Sequence, residues 1–274
     1  MKTMGRFTVL RQGGVAIHSY ACPDDSEAVN SHVVETLHAL VLIDAQQFIP
    51  YATELREYMD RLGKPVERII VTHSHPDHWM GLICFEDLPI YAIEETKQEI
   101  EATGDYLIAY KKGQVEDISR YHKVVPPFTL KEGEVVIDGI TFRLSKVTDA
   151  EMAFMLTVEL PEFKTLIAQD LVYNGVYACV GEKNATGEYL FDGWIEALKG
   201  LKNKDYATIL PGHGDVAGPE VLDEMIKYLR FAKKTFESGV DDKGFKAAMK
   251  RRYPRYRVDE LLDISNLFLY HHTW

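Results

Sequence analysis

Between Thr72 and Trp79 the chain reads Thr-His-Ser-His-Pro-Asp-His-Trp, which places His73, His75, Asp77 and His78 within six residues. Three imidazoles and a carboxylate at that density are a metal-ligand set, and holding a metal ion is the chemistry that gathers them. Pro76 biases His75 toward extended backbone and removes one donor. Extended backbone sends His73 and His75, two residues apart, to the same side. Asp77 and His78 fall past the bend and can point at a second centre, so one short loop can serve two metals.

The elements that must position this loop follow from apolar patterning. Val66 to Thr72 is β-branched and apolar and reads as a buried strand ending at the cluster. Sites at the C-terminal ends of strands are the rule in α/β folds. Upstream, residues 6–10 and 14–20 read as a hairpin across Gly13-Gly14, and 30–35 and 39–44 as two more strands. Asp44, at the end of the last, is placed either to brace the metal loop or to sit in a turn. Residues 51–62 read as a helix stopped by Gly63 and Pro65. Downstream, 89–93 is a short strand, 94–102 a polar helix, and 104–122 helical or loose, with His122 in polar surroundings.

Past Pro126-Pro127, segments 130–134 and 135–140 read as a hairpin that turns at Asp138-Gly139 into 140–144. Strands are expected at 152–160 and 164–169, the latter running into Asp170. A polar loop over 174–189, a helix over 191–202 and a strand over 208–210 lead to Pro211-Gly212-His213-Gly214. An amphipathic helix spans 219–237, with further helices near 242–252 and 258–270. Strands thus fall into two groups, 6–72 and 130–169, which predicts two sheets with helices outside. Two parts are expected: a catalytic domain over 1–218 and a C-terminal helical extension over 219–274, packed on the same domain. Tyr253, Tyr256, Phe268, Tyr270 and Trp274 make that extension aromatic, suited to a core or to a homodimer interface.

A chain of 274 residues with 46% hydrophobic and 27% charged residues is an ordinary globular protein with room for a large core. Its net charge of -11 argues against nucleic acid as a partner. No run of 18 apolar residues exists, and neither a membrane span nor a membrane partner is expected. Cys22, Cys84 and Cys179 are odd in number and widely spaced, as for buried thiols in a reducing compartment. The opening residues lack a secretory layout, so a cytoplasmic location is expected.

The run His73-Ser74-His75-Pro76-Asp77-His78 resembles the HxHxDH signature of the metallo-β-lactamase superfamily. The resemblance extends from about residue 14 to residue 216. Asn30 to Asp44 is similar to the family's opening strand pair, Leu166 to Asp170 to its strand ending in a bridging Asp, and Pro211 to Gly214 to its last ligand loop. It implies an αββα sandwich of two packed mixed sheets, holding two divalent metal ions. By resemblance His73 and His75 bind the first, Asp77, His78 and His213 the second, and Asp170 bridges them.

One departure stands out. The family's third His on the first metal is missing, and the corresponding segment is Lys146 to Met152. Counting back from Asp170 lands on Glu151, the favoured replacement ligand; counting forward from Gly139 lands on Ala150, between Glu151 and the alternative, Asp149; the third alternative is that neither binds and the first metal is weak or absent. A carboxylate there makes the site more neutral, lowers its Lewis acidity and tilts preference from zinc toward iron or manganese. Gln169 stands where the family commonly has Gly, to bond a ligand carboxylate or to fill space. Tyr173 stands where lactone-hydrolysing members of the family carry a Tyr that polarises the substrate carbonyl and many other members carry a Phe, so the resemblance implies either that role or packing.

The resemblance implies a metal-dependent hydrolase of a carboxylic ester, lactone or thioester in a small-molecule substrate, with Asp77, Asp170 and Tyr173 as catalytic groups. The alternative is an iron-dependent oxidoreductase of the same fold, acting on oxygen or sulfur. A third reading is a non-catalytic descendant that binds or scaffolds.

Overall fold

A computed structural model describes residues 4–115 and 117–271; Trp274 lies outside them. Twelve strands and seven α-helices make up the described chain. The first mixed sheet runs in the order β1 (Arg6–Gln12), β2 (Val15–Ala21), β3 (Asn30–Glu35), β4 (Leu40–Ile43), β5 (Val66–Val71), β6 (Ile90–Ile93) and β7 (Phe128–Leu130). β1 to β4 pair antiparallel, and β4 to β7 parallel. Helix α1 (Ile49–Leu62) makes the parallel β4–β5 crossover. It buries Tyr51, Ala52, Leu55 and Met59 against Leu42, Ile69 and Val71, and Gly63 ends it in left-handed backbone.

The other five strands, β8 (Gly133–Ile137), β9 (Ile140–Thr148), β10 (Phe154–Leu160), β11 (Thr165–Asn174) and β12 (Thr208–Gly214), form a second mixed sheet. β8 pairs antiparallel with β9 across the expected Asp138-Gly139 turn, whose φ values of 50° and 77° suit a primed hairpin turn. β11 pairs parallel with β12.

Two expectations need correcting. No single strand spans 130–134: β7 leaves the Pro126-Pro127 turn, extends the first sheet beside β6 and ends at Leu130, and the hairpin begins only at Gly133. The strand groups also extend beyond 72 and 169, since β6 and β7 join the first sheet and β12 the second. The stretch read as helical or loose after 104 is partly regular, because α3 runs from Glu94 to Tyr110.

The chain divides into two compact units, 1–145 with 156–163, and 146–155 with 164–274. The second also holds helices α4 (Phe191–Lys202), α5 (Val221–Glu237), α6 (Asp242–Arg252) and α7 (Glu260–Asn266), of which α5 packs against α4, α6 and β11. The C-terminal helices take up backbone groups of the segment after β11. Tyr228 Oη donates to Ala178 O and accepts from Ala178 N–H, both at 3.2 Å. Ser265 Oγ accepts from Val180 N–H at 3.0 Å, and Arg257 pairs through its backbone with Gly175 and Tyr177. Buried amides need partners, and here the C-terminal extension supplies them.

Candidate metal centre

In the first unit, α2 (Pro76–Trp79) follows β5 after four residues. His75 takes the extended N-cap conformation, φ -65° and ψ 138°, as a residue before proline should. His73, His75, Asp77 and His78 are all buried. The His73 ring lies 5.0 Å from that of His75 and 4.2 Å from that of His78. Asp77 Oδ2 is 3.2 Å from His78 Nε2. Trp79, fully buried, donates its indole N–H to Ser74 O at 2.8 Å and pins the loop from beneath.

Asp44 braces this loop. Its Oδ1 accepts from Thr72 N–H at 2.8 Å; its Oδ2 accepts from the Thr72 hydroxyl at 2.7 Å and from His78 Nδ1 at 2.8 Å. A carboxylate only accepts, so His78 carries a proton on Nδ1 and turns Nε2 toward Asp77. The Thr72 hydroxyl spends its proton on Asp44 and therefore accepts from His73 Nδ1 at 3.0 Å. His73 is held by the same nitrogen. One acid thus fixes two imidazoles by Nδ1 and leaves Nε2 of each to meet a metal, which is how metal-ligating histidines are prepared. Asp44 does this from φ 58°, a strained backbone for a non-glycine residue. Replacing Asp44 by Ala is expected to weaken metal binding 10- to 100-fold. It should also cost about 1–3 kcal/mol of stability, because buried donors lose their acceptor. Metal titration and thermal unfolding of D44A check both.

The second unit holds Glu151, Asp170, Tyr173 and His213, all buried. The register of β11 against β12 slips twice: Gln169 pairs with Pro211 but Tyr173 with His213, so four steps on β11 match two on β12. The bulge carries Asp170 out of the ladder. Gln169 enters it at φ 46°, a left-handed backbone that glycine adopts at least cost. A Cβ at Gly212 would overlap Asp170 Oδ1, so only glycine lets the carboxylate lie against β12. Replacing Gly212 by Ala is expected to displace Asp170 and to destabilise the fold by at least about 1–3 kcal/mol, read by denaturant unfolding.

Asp170 Oδ2 is shared. Tyr173 Oη donates to it at 2.6 Å, and His213 Nε2 lies 3.1 Å away. The Tyr173 and His213 rings stack at 4.7 Å, 4° from parallel. Burial, then the charges of Asp170 and Glu151, push the Tyr173 phenol well above its ordinary range, so it stays a donor. A ligand-capable atom of Glu151 lies within 4.8 Å of one on Asp170. Asp149, the alternative from sequence, is exposed, at φ 52°, and its carbonyl backs onto Gly193.

Two other histidines have partners of their own. His122 is exposed and bonds Glu86 Oε1 at 3.0 Å. His18 is buried between Tyr58 Oη and Glu35 Oε2, at 2.7 and 2.9 Å. Sequence reasoning passed over Thr72 and Gly212. Only Thr72 left a signal, a hydroxyl immediately before the first ligand.

The donor set fits a metal: imidazoles with oriented Nε2 atoms and buried carboxylates suit zinc, iron or manganese. Comparison with known proteins agrees. The model of the metallo-beta-lactamase superfamily matches residues 25–213. A curated relative, the beta-lactamase-like protein 2 homolog of Caenorhabditis elegans, is 25% identical over 217 residues, covering 75% of this chain. The match spans 63% of that relative's length. Among solved structures, a metallo-beta-lactamase from Pontibacter korlensis superposes with a TM-score of 0.60 at 21% identity, over 82% of this chain and 99% of that one. The mono-zinc form of FIM-1 from Pseudomonas aeruginosa gives 0.59 at 18% identity, over 84% and 96%. Matched along most of its length by the family model and sharing its fold, two mixed sheets with helices, the chain belongs to the metallo-beta-lactamase superfamily.

Proposed function

We propose that the chain is a metal-dependent hydrolase of a carboxylic ester, lactone or thioester in a small molecule. The observation that carries this reading is the Asp44–Thr72 network, which holds His73 and His78 by Nδ1 and so orients Nε2 of each as the atom to meet a metal. On the family pattern, His73, His75 and Glu151 would hold a first divalent ion, Asp77, His78 and His213 a second, and Asp170 would serve both. Ions so held supply Lewis acidity toward an acyl oxygen and make coordinated water more acidic.

The chain's own groups do the rest. Asp77 and Asp170 would orient the attacking water, and one of the two carboxylates would take its proton. Tyr173 spends its proton on Asp170 Oδ2 and fixes that carboxylate. Donation to a substrate oxyanion, the role expected from resemblance, requires the phenol to leave Asp170 first. Replacing Tyr173 by Phe should therefore weaken metal binding and turnover together, each about 10-fold. A loss of turnover with metal affinity intact would return Tyr173 to the oxyanion.

The test is a panel of aryl esters, lactones and acyl thioesters assayed under nitrogen, before and after chelation. Hydrolysis that chelation abolishes and added metal restores supports the proposal. Buried Glu151 favours one competitor, an iron oxidoreductase, since carboxylate is a harder ligand than imidazole. Oxygen uptake with a thiol or persulfide, and no acyl hydrolysis, would decide for it.

A further inference from the structure

The total charge of -11 hides a segregated surface. Residues 227–257 carry eleven basic and three acidic side chains, a net +8, which leaves -19 on the rest of the chain. Lys227, Arg230 and Lys234 are exposed along one face of α5, at helical spacing. Arg251, Arg252 and Arg255, where α6 ends, are exposed beside them: the Arg252 guanidinium lies 5.9 Å from the Phe231 ring, and Tyr253 is 5.9 Å from Phe231 and 5.0 Å from Tyr228. The turn after α6 therefore runs along the middle of α5. The acids on the exposed side of α5, Asp223, Glu224 and Glu237, sit at its ends.

Neighbouring lysines are engaged, Lys233 with Asp192, Lys246 with Asp263 and Lys250 with Asp259. No ion pair joins Arg230, Lys234, Arg251 or Arg255 among the described residues. We propose that this α5–α6 face docks the protein electrostatically on an anionic phospholipid bilayer.

Charge complementarity selects the occupant. A planar surface meets this one face, while acidic groups more than a Debye length away are screened from it, about 8 Å at physiological salt. Guanidinium groups pair well with phosphate oxygens. None of the exposed large hydrophobic side chains lies within 219–271, so the contact is ionic and reversible, without apolar insertion. The expectation of no membrane partner rested on the lack of a long apolar run, which does not bear on a local basic face. Docking depends on these charges alone, so it stands or falls separately from the hydrolase reading.

The measurement is co-sedimentation of the metal-loaded protein with phosphatidylglycerol-containing vesicles and with pure phosphatidylcholine vesicles, from low to high salt. We expect binding to the anionic vesicles only, lost at high salt. The triple variant R230E/R251E/R255E changes exposed side chains, so it should keep its unfolding temperature and metal content while losing at least about 100-fold in binding. The R230Q/R251Q/R255Q variant should fall between. Any of these results would overturn the proposal: no binding to anionic vesicles at low salt, equal binding to both compositions, binding that survives charge reversal, or tighter binding to a single-stranded oligonucleotide than to vesicles. Self-association without vesicles that the triple variant abolishes would assign the face to a second copy and overturn it equally.

Discussion

Replacing Asp170 by Asn is expected to lower hydrolysis about 1000-fold and to strip the protein of most of its metal. The carboxylate is the meeting point of the second unit, taking the Tyr173 phenol at 2.6 Å and facing His213 Nε2 at 3.1 Å on the same oxygen. An amide of identical shape removes the charge that offsets bound cations. Turned with its NH2 to that side, it also sets a donor against a donor, since the Tyr173 phenol stays protonated. Metal chemistry of this kind contributes several kcal/mol to the transition state, which is the origin of the factor of about 1000. Single-turnover rates and metal content of D170N, measured together, check it. Near-normal turnover would remove Asp170 from the site.

Replacing Glu151 by His is expected to shift metal selection rather than abolish binding. Glu151 is buried, within reach of Asp170. Its carboxylate is hard and charged, so it favours iron or manganese and damps Lewis acidity. The histidine should raise the zinc-to-iron ratio of protein grown in balanced-metal medium about 10-fold, and raise ester hydrolysis per bound metal. An unchanged ratio would mean that Glu151 does not contact the metal.

The sequence and the structure agree where chemistry is local. His73 to His78 declare themselves because six residues suffice to make the cluster, and β5 declares itself by its apolar run. Asp170 and His213 are legible only through resemblance, because 43 residues separate the two partners. Asp149 and Glu151 stayed open from sequence because a count of residues cannot place side chains across the turn of 149–153. Burial separates them in the structure. Gly212 and the bulge at Gln169 depend on how β11 meets β12, and no local pattern encodes that. β7 was misassigned because three residues after a proline pair carry too little periodicity to show which sheet they join.

The most direct test of the whole account is elemental analysis of protein purified without chelator. Two transition-metal ions per chain are expected, lost from the His73→Ala/His78→Ala variant while the fold persists. Protein that holds no transition metal as isolated, and takes up none when zinc, iron or manganese is supplied, would contradict it.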